Sequence, residues 1–303
     1  MMKSLILGTV QFGLDYGVTN RDGQPSPDHI FEILDQAWHS GVRFLDTADS
    51  YGSAIDIISS YHRLRSHRFQ IITKTLRNPA HSRADIDLAV DQLKRQRDQL
   101  DVEIFDIVMF HYAPSINNYV PDDFFDKIKE EGMTRRGGLS VDLAQDYDAL
   151  KDRFSFDVVQ IPFNVLNGSQ FPVQFQDNLK QLDIEIHVRS AFLQGILLAQ
   201  ADEVPAHLSG LIPFISGFHK VCQQVDLEPL EGALLFLAQS QFPDHVVVGA
   251  QNLRQWQDIE TAWRRVHALK DRIQIDWPAF LCDNPDLVSP SQWTKLKQLS
   301  GNA

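Results

Sequence analysis

The chain has few cysteines for its length. Only Cys222 and Cys282 occur among 303 residues, and they lie too far apart to form a metal-ligand motif. Two thiols in a chain of this size exclude a disulfide framework and favour a reduced, intracellular protein. The N-terminal apolar stretch is interrupted at Gly8 and Gln11 and is too short for a signal peptide. We therefore expect a cytoplasmic protein.

Positive charge is also scarce, which restricts the possible partners. Lysine and arginine total 28 against 40 aspartate and glutamate residues, so the net charge is -12. Such a chain repels polyphosphate at long range, and we expect neither nucleic acid nor an anionic membrane as a partner. No apolar run approaches the roughly 18 residues of a membrane span. No group of His, Asp and Glu has ligand spacing, so no metal is expected.

Strand-like and helix-like segments alternate along the chain. Runs rich in Val, Ile, Leu and Phe, such as 105–110 and 156–161, are typical of parallel strands buried on both faces. Amphipathic stretches such as 27–41 and 84–100 lie between them. Eight such units predict a closed (β/α)8 TIM barrel, an α/β fold. An open doubly wound sheet is the alternative, but no G-x-G-x-x-G motif follows the first strand.

The sequence shows no boundary between domains. Its length suits two average domains or one barrel, but no linker rich in proline, glycine or serine interrupts it. We expect a single domain over residues 1–303. The stretch from about residue 276, with Pro278, Pro285 and Pro290, is predicted to form an irregular tail.

Three consecutive predicted strands end on side chains that can hold or transfer a proton. These are Asp46, Lys74 and His111, and Tyr51 follows Asp46 closely. Because the carboxyl ends of parallel strands meet at one rim of a barrel, the four side chains are expected to converge. Singly, each has an ordinary explanation: Asp46 as a helix cap, Tyr51 as a rim aromatic, Lys74 as a solvated strand end and His111 as a core histidine. Their recurrence on consecutive strands favours an acid–base site.

These side-chain types suit the reduction of a carbonyl group, whose oxygen gains negative charge and needs a proton donor. A phenol is a weak acid, with an ordinary pKa of about 10, but a neighbouring ammonium favours its ionised form. A carboxylate fixes that ammonium and compensates its burial. An imidazole can donate a hydrogen bond that orients the carbonyl oxygen. Tyr51, Lys74, Asp46 and His111 supply each part once.

Motifs around these residues resemble those of the aldo-keto reductase superfamily, NAD(P)H-dependent oxidoreductases on a (β/α)8 barrel. The resemblance spans nearly the whole chain, and its motifs follow one another in the superfamily's order. They are L-G-T-V-Q-F-G (7–13), F-L-D-T-A-D-S-Y-G (44–52), I-T-K-T (72–75), F-H-Y (110–112), and the segments 132–141, 160–164, 189–195 and 248–255.

The resemblance implies a role for each candidate residue. Tyr51 would be the general acid, Lys74 and Asp46 would tune it, and His111 would orient the substrate. The implied cofactor is NADPH, with NADH possible. A 2′-phosphate needs a cation, and Arg254 lies in the right loop either to meet it or to be a solvated helix charge. The implied cofactor contacts are Gly8, Thr9, Ser140 and Gln160 at the nicotinamide end, Ser190, Ala191, Phe192, Leu193 and Gln194 at the pyrophosphate, and Gly249, Gln251 and Gln255 at the adenosine.

The chain also departs from the superfamily pattern. Arg189 stands where many members stack an aromatic ring on the nicotinamide, and its guanidinium would replace that stack or reach an anion. Ala54–Ile55 replaces the usual Ser-Glu after the tyrosine, and Asp258–Ile259 replaces a frequent Glu-Asn near the adenine.

The function implied is the reduction of a small-molecule carbonyl, an aldehyde, ketone or sugar, by hydride transfer. One alternative is a cofactor-binding regulatory or redox-sensing barrel with little turnover, which the departures motivate. Another is an isomerase or lyase that uses Lys74 as a Schiff base, which leaves the Tyr51 spacing unexplained. No sequence feature specifies an oligomeric state.

Overall fold

The computed structural model describes residues 3–300, in which eight parallel strands form a closed barrel. Each strand pairs with the next along the chain, and the last pairs with the first. This arrangement confirms the predicted single-domain (β/α)8 fold. The strands are β1 Ser4–Gly8, β2 Phe44–Asp46, β3 Gln70–Thr75, β4 Phe105–Phe110, β5 Thr134–Ser140, β6 Val158–Pro162, β7 Glu185–Arg189 and β8 His245–Val248.

Helices connect the strands and cover the outside of the barrel. Within residues 3–300, no helix combines the length and hydropathy of a membrane span. The α-helices of this part of the chain are α1 Val10–Gly13, α2 Pro27–His39, α3 Ala54–Leu64, α4 Arg83–Leu100, α5 Phe124–Glu130, α6 Ala144–Asp148, α7 Val173–Gln181, α8 Ile212–Gln224, α9 Pro229–Gln239, α10 Leu253–Leu269, α11 Pro285–Val288 and α12 Trp293–Ser300.

Local sequence signals determine where the long helices begin. Ser26 precedes α2, and its side chain accepts a hydrogen bond from the His29 amide at 3.4 Å. Ser82 caps α4 in the same way, and Asn252 caps α10. Each side-chain oxygen satisfies an amide that the first helical turn leaves without a partner.

Alternate residues along each strand point into the barrel, and this alternation prepares the site. Apolar side chains fill the interior, and the residue two positions further along a strand faces the same way. Ile72 is followed at that spacing by Lys74, and Met109 by His111. The interior apolar cluster consists of Ile6, Ile72, Ile107, Met109, Val158 and Val247, with Phe44 packed against it.

The segment after Asp276 corrects an expectation, because it is not irregular. It contains α11, α12 and two 3₁₀ turns, Trp277–Phe280 and Pro290–Gln292. Each proline of this segment lies in the first turn of one of these short helices. A proline is tolerated there because its missing N–H would have had no partner. The prolines thus start helices here instead of preventing them.

Candidate active site

A cavity of about 980 Å³ opens at the carboxyl-terminal ends of the strands. It is lined by all but two of the residues that the sequence suggested. The suggested residues that line it are Gly8, Thr9, Asp46, Tyr51, Lys74, His111, Ser140, Gln160, Arg189, Ser190, Ala191, Phe192, Gln194, Gly249, Gln251 and Gln255.

Leu193 and Arg254 are the two that do not line the cavity. The Leu193 side chain is fully buried in the core, so this residue offers the cavity no side chain. The Arg254 side chain is 90% exposed on α10, and its Nε lies 3.9 Å from Asp258 Oδ2. Asp258 itself lines the cavity, so the Arg254 guanidinium stands just outside it.

Asp46 and Lys74 form a buried ion pair at the centre of the cavity floor. Lys74 Nζ lies 2.5 Å from Asp46 Oδ1, and the two side chains are 1% and 5% exposed. Gln160 Nε2 donates a hydrogen bond to Asp46 Oδ2 at 2.8 Å. Burial opposes the charge of the ammonium, but Asp46 and Tyr51 outweigh it and raise the pKa of Lys74. Lys74 is therefore a permanent cation at neutral pH.

Tyr51 lies beside this pair on the loop after β2. The Lys74 ammonium is 5.4 Å from the centre of its ring. The loop approaches α1 so closely that a Cβ on Gly13 would collide with the Tyr51 carbonyl. Gly52, whose φ is +54°, packs against Gly13 from the other side. Glycines at both positions thus allow the chain to hold the Tyr51 ring beside the Lys74 ammonium.

His111 completes the group directly after β4. Its ring centre lies 5.8 Å from that of Tyr51, in an edge-to-face arrangement. Burial, with the positive charges of Lys74, Arg77 and Arg189, lowers the pKa of His111 to about 2. The imidazole is therefore neutral. Its Nε2 lies 3.1 Å from Arg77 NH1 and must accept that hydrogen bond, because a guanidinium only donates.

Two side chains at the cavity floor have polar atoms that suit an amide-bearing ligand. Gln160 is 1% exposed, and its Oε1 has no hydrogen-bond partner within the described residues. Ser140, its register partner on β5, is 4% exposed and lines the same wall. A buried carbonyl without a donor is costly, so this position fits a ligand N–H. The nicotinamide carboxamide has such a group.

The loop after β7 has a backbone suited to phosphate. Ser190, Leu193, Gln194 and Gly195 all have positive φ, between +47° and +91°. Asn164 Nδ2 donates to the Ser190 carbonyl at 3.1 Å and holds the strained start of the loop. Backbone N–H groups in such successive turns form a concave anion site, and strain of this kind concentrates at functional sites.

Arg189 is fixed in the cavity wall. Its NH2 group donates to Asp142 Oδ1 at 2.6 Å and to the Val141 carbonyl at 3.1 Å. Burial opposes its charge, but Asp142 outweighs this and raises the pKa of Arg189. The guanidinium is therefore a flat, compensated surface in the cavity wall rather than a mobile cation.

The far end of the cavity is shaped by a glycine and two glutamines. A Cβ on Gly249 would collide with the Gln11 side-chain amide, so a larger residue here would have to displace that amide. The Gln255 side chain accepts a hydrogen bond from the Gln251 amide at 2.9 Å. Together these features fit a dinucleotide extended from Gln160 to Gln255.

A model of the Aldo/keto reductase family matches residues 4–274 of the chain. The protein belongs to the aldo/keto reductase family.

Known proteins similar to this aldo/keto reductase agree in fold. The structure resembles aldo-keto reductase AKR11C1 from Bacillus halodurans, in its holo form, with a TM-score of 0.67 and 16% identity over 88% of this chain and 91% of that one. It also resembles the glycerol dehydrogenase AKR11B4 from Gluconobacter oxydans, with a TM-score of 0.63 and 16% identity over 90% and 93%.

A curated relative, Aldo-keto reductase str7 from Strobilurus tenacellus, is 24% identical over 190 residues. These cover 61% of this chain and 55% of that protein, so the chain spans about half the length of this relative.

Four residues of the aldo/keto reductase site escaped the sequence reasoning. Arg77 contacts His111, Asp142 holds Arg189, Asn164 holds Ser190, and Tyr16 lines the cavity from the loop after α1. Only Asn164 carried a signal, as the last residue of a recognised motif. The others lie in loops whose partners are set by the closed barrel.

A second group of titratable residues lies at the opposite end of the barrel interior. This lower cluster consists of Glu185, His187, His245 and Arg136. Glu185 Oε1 lies 2.6 Å from His187 Nε2 and 3.3 Å from His245 Nε2, and its Oε2 lies 2.8 Å from Arg136 NH1. Ligand atoms of the acid and both histidines lie within 4.8 Å of one another, but Arg136 already provides the cation beside Glu185.

Proposed function

We propose that this aldo/keto reductase is an NAD(P)H-dependent carbonyl reductase in which Tyr51 protonates the substrate oxygen. The observation that carries the proposal is the placement of the buried Asp46–Lys74 pair against the Tyr51 ring, with neutral His111 alongside. The substrate is an aldehyde, a ketone or a sugar in its carbonyl form.

In the proposed reaction the phenol O–H of Tyr51 breaks as its proton passes to the carbonyl oxygen, which becomes an alcohol. Lys74 stabilises the phenolate left behind, and Asp46 with Gln160 keeps the ammonium in place. The barrel contributes position and electrostatics, and the reduced nicotinamide supplies the hydride when it is bound.

Each feature of the cavity indicates which part of the cofactor it would bind. Gln160 and Ser140 would bind the carboxamide, Arg189 would lie flat against the nicotinamide ring, and the 190–195 loop would bind the pyrophosphate. Gly249 would leave room for the adenosine. The holo form of the Bacillus halodurans relative supports a bound cofactor in this fold.

The test is consumption of NADPH with a panel of aldehydes, ketones and sugars, for the parent and for Tyr51→Phe. The variant should lose about a hundredfold or more of turnover, while its NADPH dissociation constant stays near that of the parent. Tyr119→Phe is the matched control, because Tyr119 is exposed and lies outside the cavity. A fully active Tyr51→Phe would remove Tyr51 as the acid.

The same panel separates an enzyme from a regulatory barrel. The departures at Arg189 and Asp258 leave a cofactor-binding sensor as the second candidate. A sensor would bind NADPH without steady oxidation of it by any carbonyl.

NADPH is proposed as the preferred cofactor over NADH. Arg254 is exposed beside the adenosine end, and its 3.9 Å separation from Asp258 leaves it able to turn to a 2′-phosphate. NADPH should bind about tenfold more tightly than NADH, and Arg254→Gln should abolish the difference. Arg264→Gln, an exposed change on the same helix, is the control. Equal dissociation constants for the parent in a fluorescence titration would contradict the preference.

A further inference from the structure

Arg77 is a cation on the cavity wall with no carboxylate partner in the structure. Within residues 3–300, no carboxylate oxygen lies within 4.0 Å of its guanidinium. The other two cations at this end of the cavity are both compensated, Lys74 by Asp46 at 2.5 Å and Arg189 by Asp142 at 2.6 Å. Of the three cations at the catalytic end of the cavity, only Arg77 therefore has no carboxylate at ion-pair distance within the described residues, in a chain whose net charge is -12.

The backbone of Arg77 is held in place. Leu76, directly before it, has a left-handed backbone with φ of +54°. The Ser115 hydroxyl, buried in the loop after β4, donates to the Arg77 carbonyl at 2.6 Å. A leucine in this conformation is strained, and such strain persists where the surroundings enforce it. The loop that follows β3 is thus fixed to the loop that carries His111.

The Arg77 side chain contacts Nε2 of His111, the imidazole that is expected to orient the substrate carbonyl. Its NH1 donates to His111 Nε2 at 3.1 Å. While this bond lasts, Nε2 is an acceptor and cannot donate a hydrogen bond to a carbonyl oxygen. An anionic group on the substrate would draw the guanidinium away, because a charge-assisted bidentate pair is stronger than a bond to neutral imidazole. His111 would then be released to take the Nε2–H form.

Asp49 is an acid that interacts with Arg77 without forming an ion pair with it. Asp49 interacts electrostatically with Arg77 and Lys74, but burial raises the pKa of Asp49. It does not line the cavity. Because Asp49 forms no ion pair with Arg77 within 4.0 Å and does not line the cavity, the Arg77 guanidinium remains available to a ligand.

We propose that Arg77 selects substrates in which a carboxylate or phosphate lies next to the carbonyl or a short chain away. The anion pairs with Arg77, and the carbonyl oxygen takes the place beside His111 Nε2 and Tyr51. This inference rests on the proposed function and adds the charge of the substrate to it.

The test compares matched substrate pairs that differ in one anionic group. The pairs are glyoxylate with acetaldehyde, succinic semialdehyde with butanal, and glyceraldehyde 3-phosphate with glyceraldehyde. For the parent enzyme with NADPH, kcat/KM should be at least about tenfold higher for the charged member. The first two pairs report on carboxylate at two distances, and the third on phosphate.

Arg77→Met should lower the ratio of charged to neutral kcat/KM by at least about tenfold. The charged substrate loses its partner, while the neutral one gains access to an unoccupied His111 Nε2. Arg77→Lys should retain part of the preference, since it keeps the charge without the planar fork. Arg95→Met, an exposed change on α4 outside the cavity, makes the same change in net charge and should leave the ratio intact.

A measurement on the parent alone keeps the proposal testable if the Arg77 variants fold poorly. Raising salt from about 50 to about 500 mM should raise KM for the charged substrates and not for the neutral ones, because salt screens the attraction.

The outcomes are distinguishable. A parent that reduces neutral and charged members equally well would overturn this inference and leave the proposed function standing. An Arg77→Met variant that slows both members equally would make Arg77 a positioning residue for His111 and also overturn it. A parent that reduces no carbonyl at all would overturn the proposed function and the inference together.

Discussion

The two ends of the barrel interior carry similar residues in different circumstances. The upper cluster, Asp46, Lys74, His111 and Gln160, opens on the cavity. The lower cluster lies outside it. The inward face of β7 even contributes to both ends, with Glu185 in the lower cluster and Arg189 in the cavity wall.

The difference lies in the space that each cluster offers to a ligand. Both clusters contain a buried polar atom without a hydrogen-bond partner among residues 3–300, Gln160 Oε1 in the upper one and His187 Nδ1 in the lower one. At the upper end, Gln160 and Arg77 both line the cavity, and within residues 3–300 the Arg77 guanidinium has no carboxylate partner. At the lower end, Glu185 already accepts hydrogen bonds from both histidines and from Arg136. Acids and histidines inside a barrel therefore do not identify a site. A cavity with unsatisfied groups beside it does.

The largest expected effect comes from breaking the upper ion pair. Lys74→Met leaves the Asp46 carboxylate buried without its cation, which should lower the free energy of unfolding by about 3–5 kcal/mol. It also removes the group proposed to stabilise the Tyr51 phenolate, so turnover should fall by about a hundredfold or more. Urea unfolding and NADPH consumption measure the two losses.

The double variant Lys74→Met/Asp46→Asn separates these two losses. It removes the uncompensated charge, so most of the lost stability should return while turnover stays low. If turnover returned with stability, Lys74 would be only a structural partner of Asp46.

The lower cluster should behave in the opposite way, with stability lost and turnover kept. Glu185→Gln removes the negative charge that His187, His245 and Arg136 share and replaces one acceptor oxygen by an NH2 donor, so the free energy of unfolding should fall by about 1–3 kcal/mol. Turnover of the folded variant should match that of the parent. A loss of turnover in the folded variant would contradict the division between the two ends.

The pH dependence of this stability loss follows from the direction in which the fold shifts the pKa of Glu185. Burial favours its neutral form, but hydrogen bonds from His187 and His245 outweigh this and lower the pKa of Glu185 below its ordinary 4.5. A carboxyl group whose pKa is lower in the folded than in the unfolded protein stabilises the fold at pH values above its unfolded pKa. This stabilisation disappears as the pH falls toward its folded pKa. The stability gap between parent and Glu185→Gln should therefore stay constant above about pH 5 and narrow below it.

Much of the fold and the upper cluster was predictable because local pattern determines both. Asp46, Lys74 and His111 end consecutive apolar runs, and closing a parallel barrel brings such ends together whatever the loops do. The same logic places Ser140 beside Gln160, since they are register partners.

The rest depends on contacts that no local pattern encodes. Arg77 reaches His111 because Leu76, directly before it, adopts a left-handed backbone and because Ser115 holds the carbonyl of Arg77 itself. The irregular tail was a wrong prediction because a proline disfavours the interior of a helix but suits its first turn. The lower cluster left one signal, the alternation that puts Glu185 and His187 on the same face of β7.

The smallest expected effect is the absence of a titration at the upper end. Burial and three neighbouring cations lower the pKa of His111 to about 2, so the imidazole should stay neutral from about pH 4 to pH 9. In NMR spectra of the ring carbon resonances, the His111 signal should not move over this range. Arg77→Met removes one of the cations and should raise the pKa of His111. A parent His111 signal that titrates between pH 5 and 8 would mean that the ring is more hydrated or less crowded by cations than the cavity geometry requires.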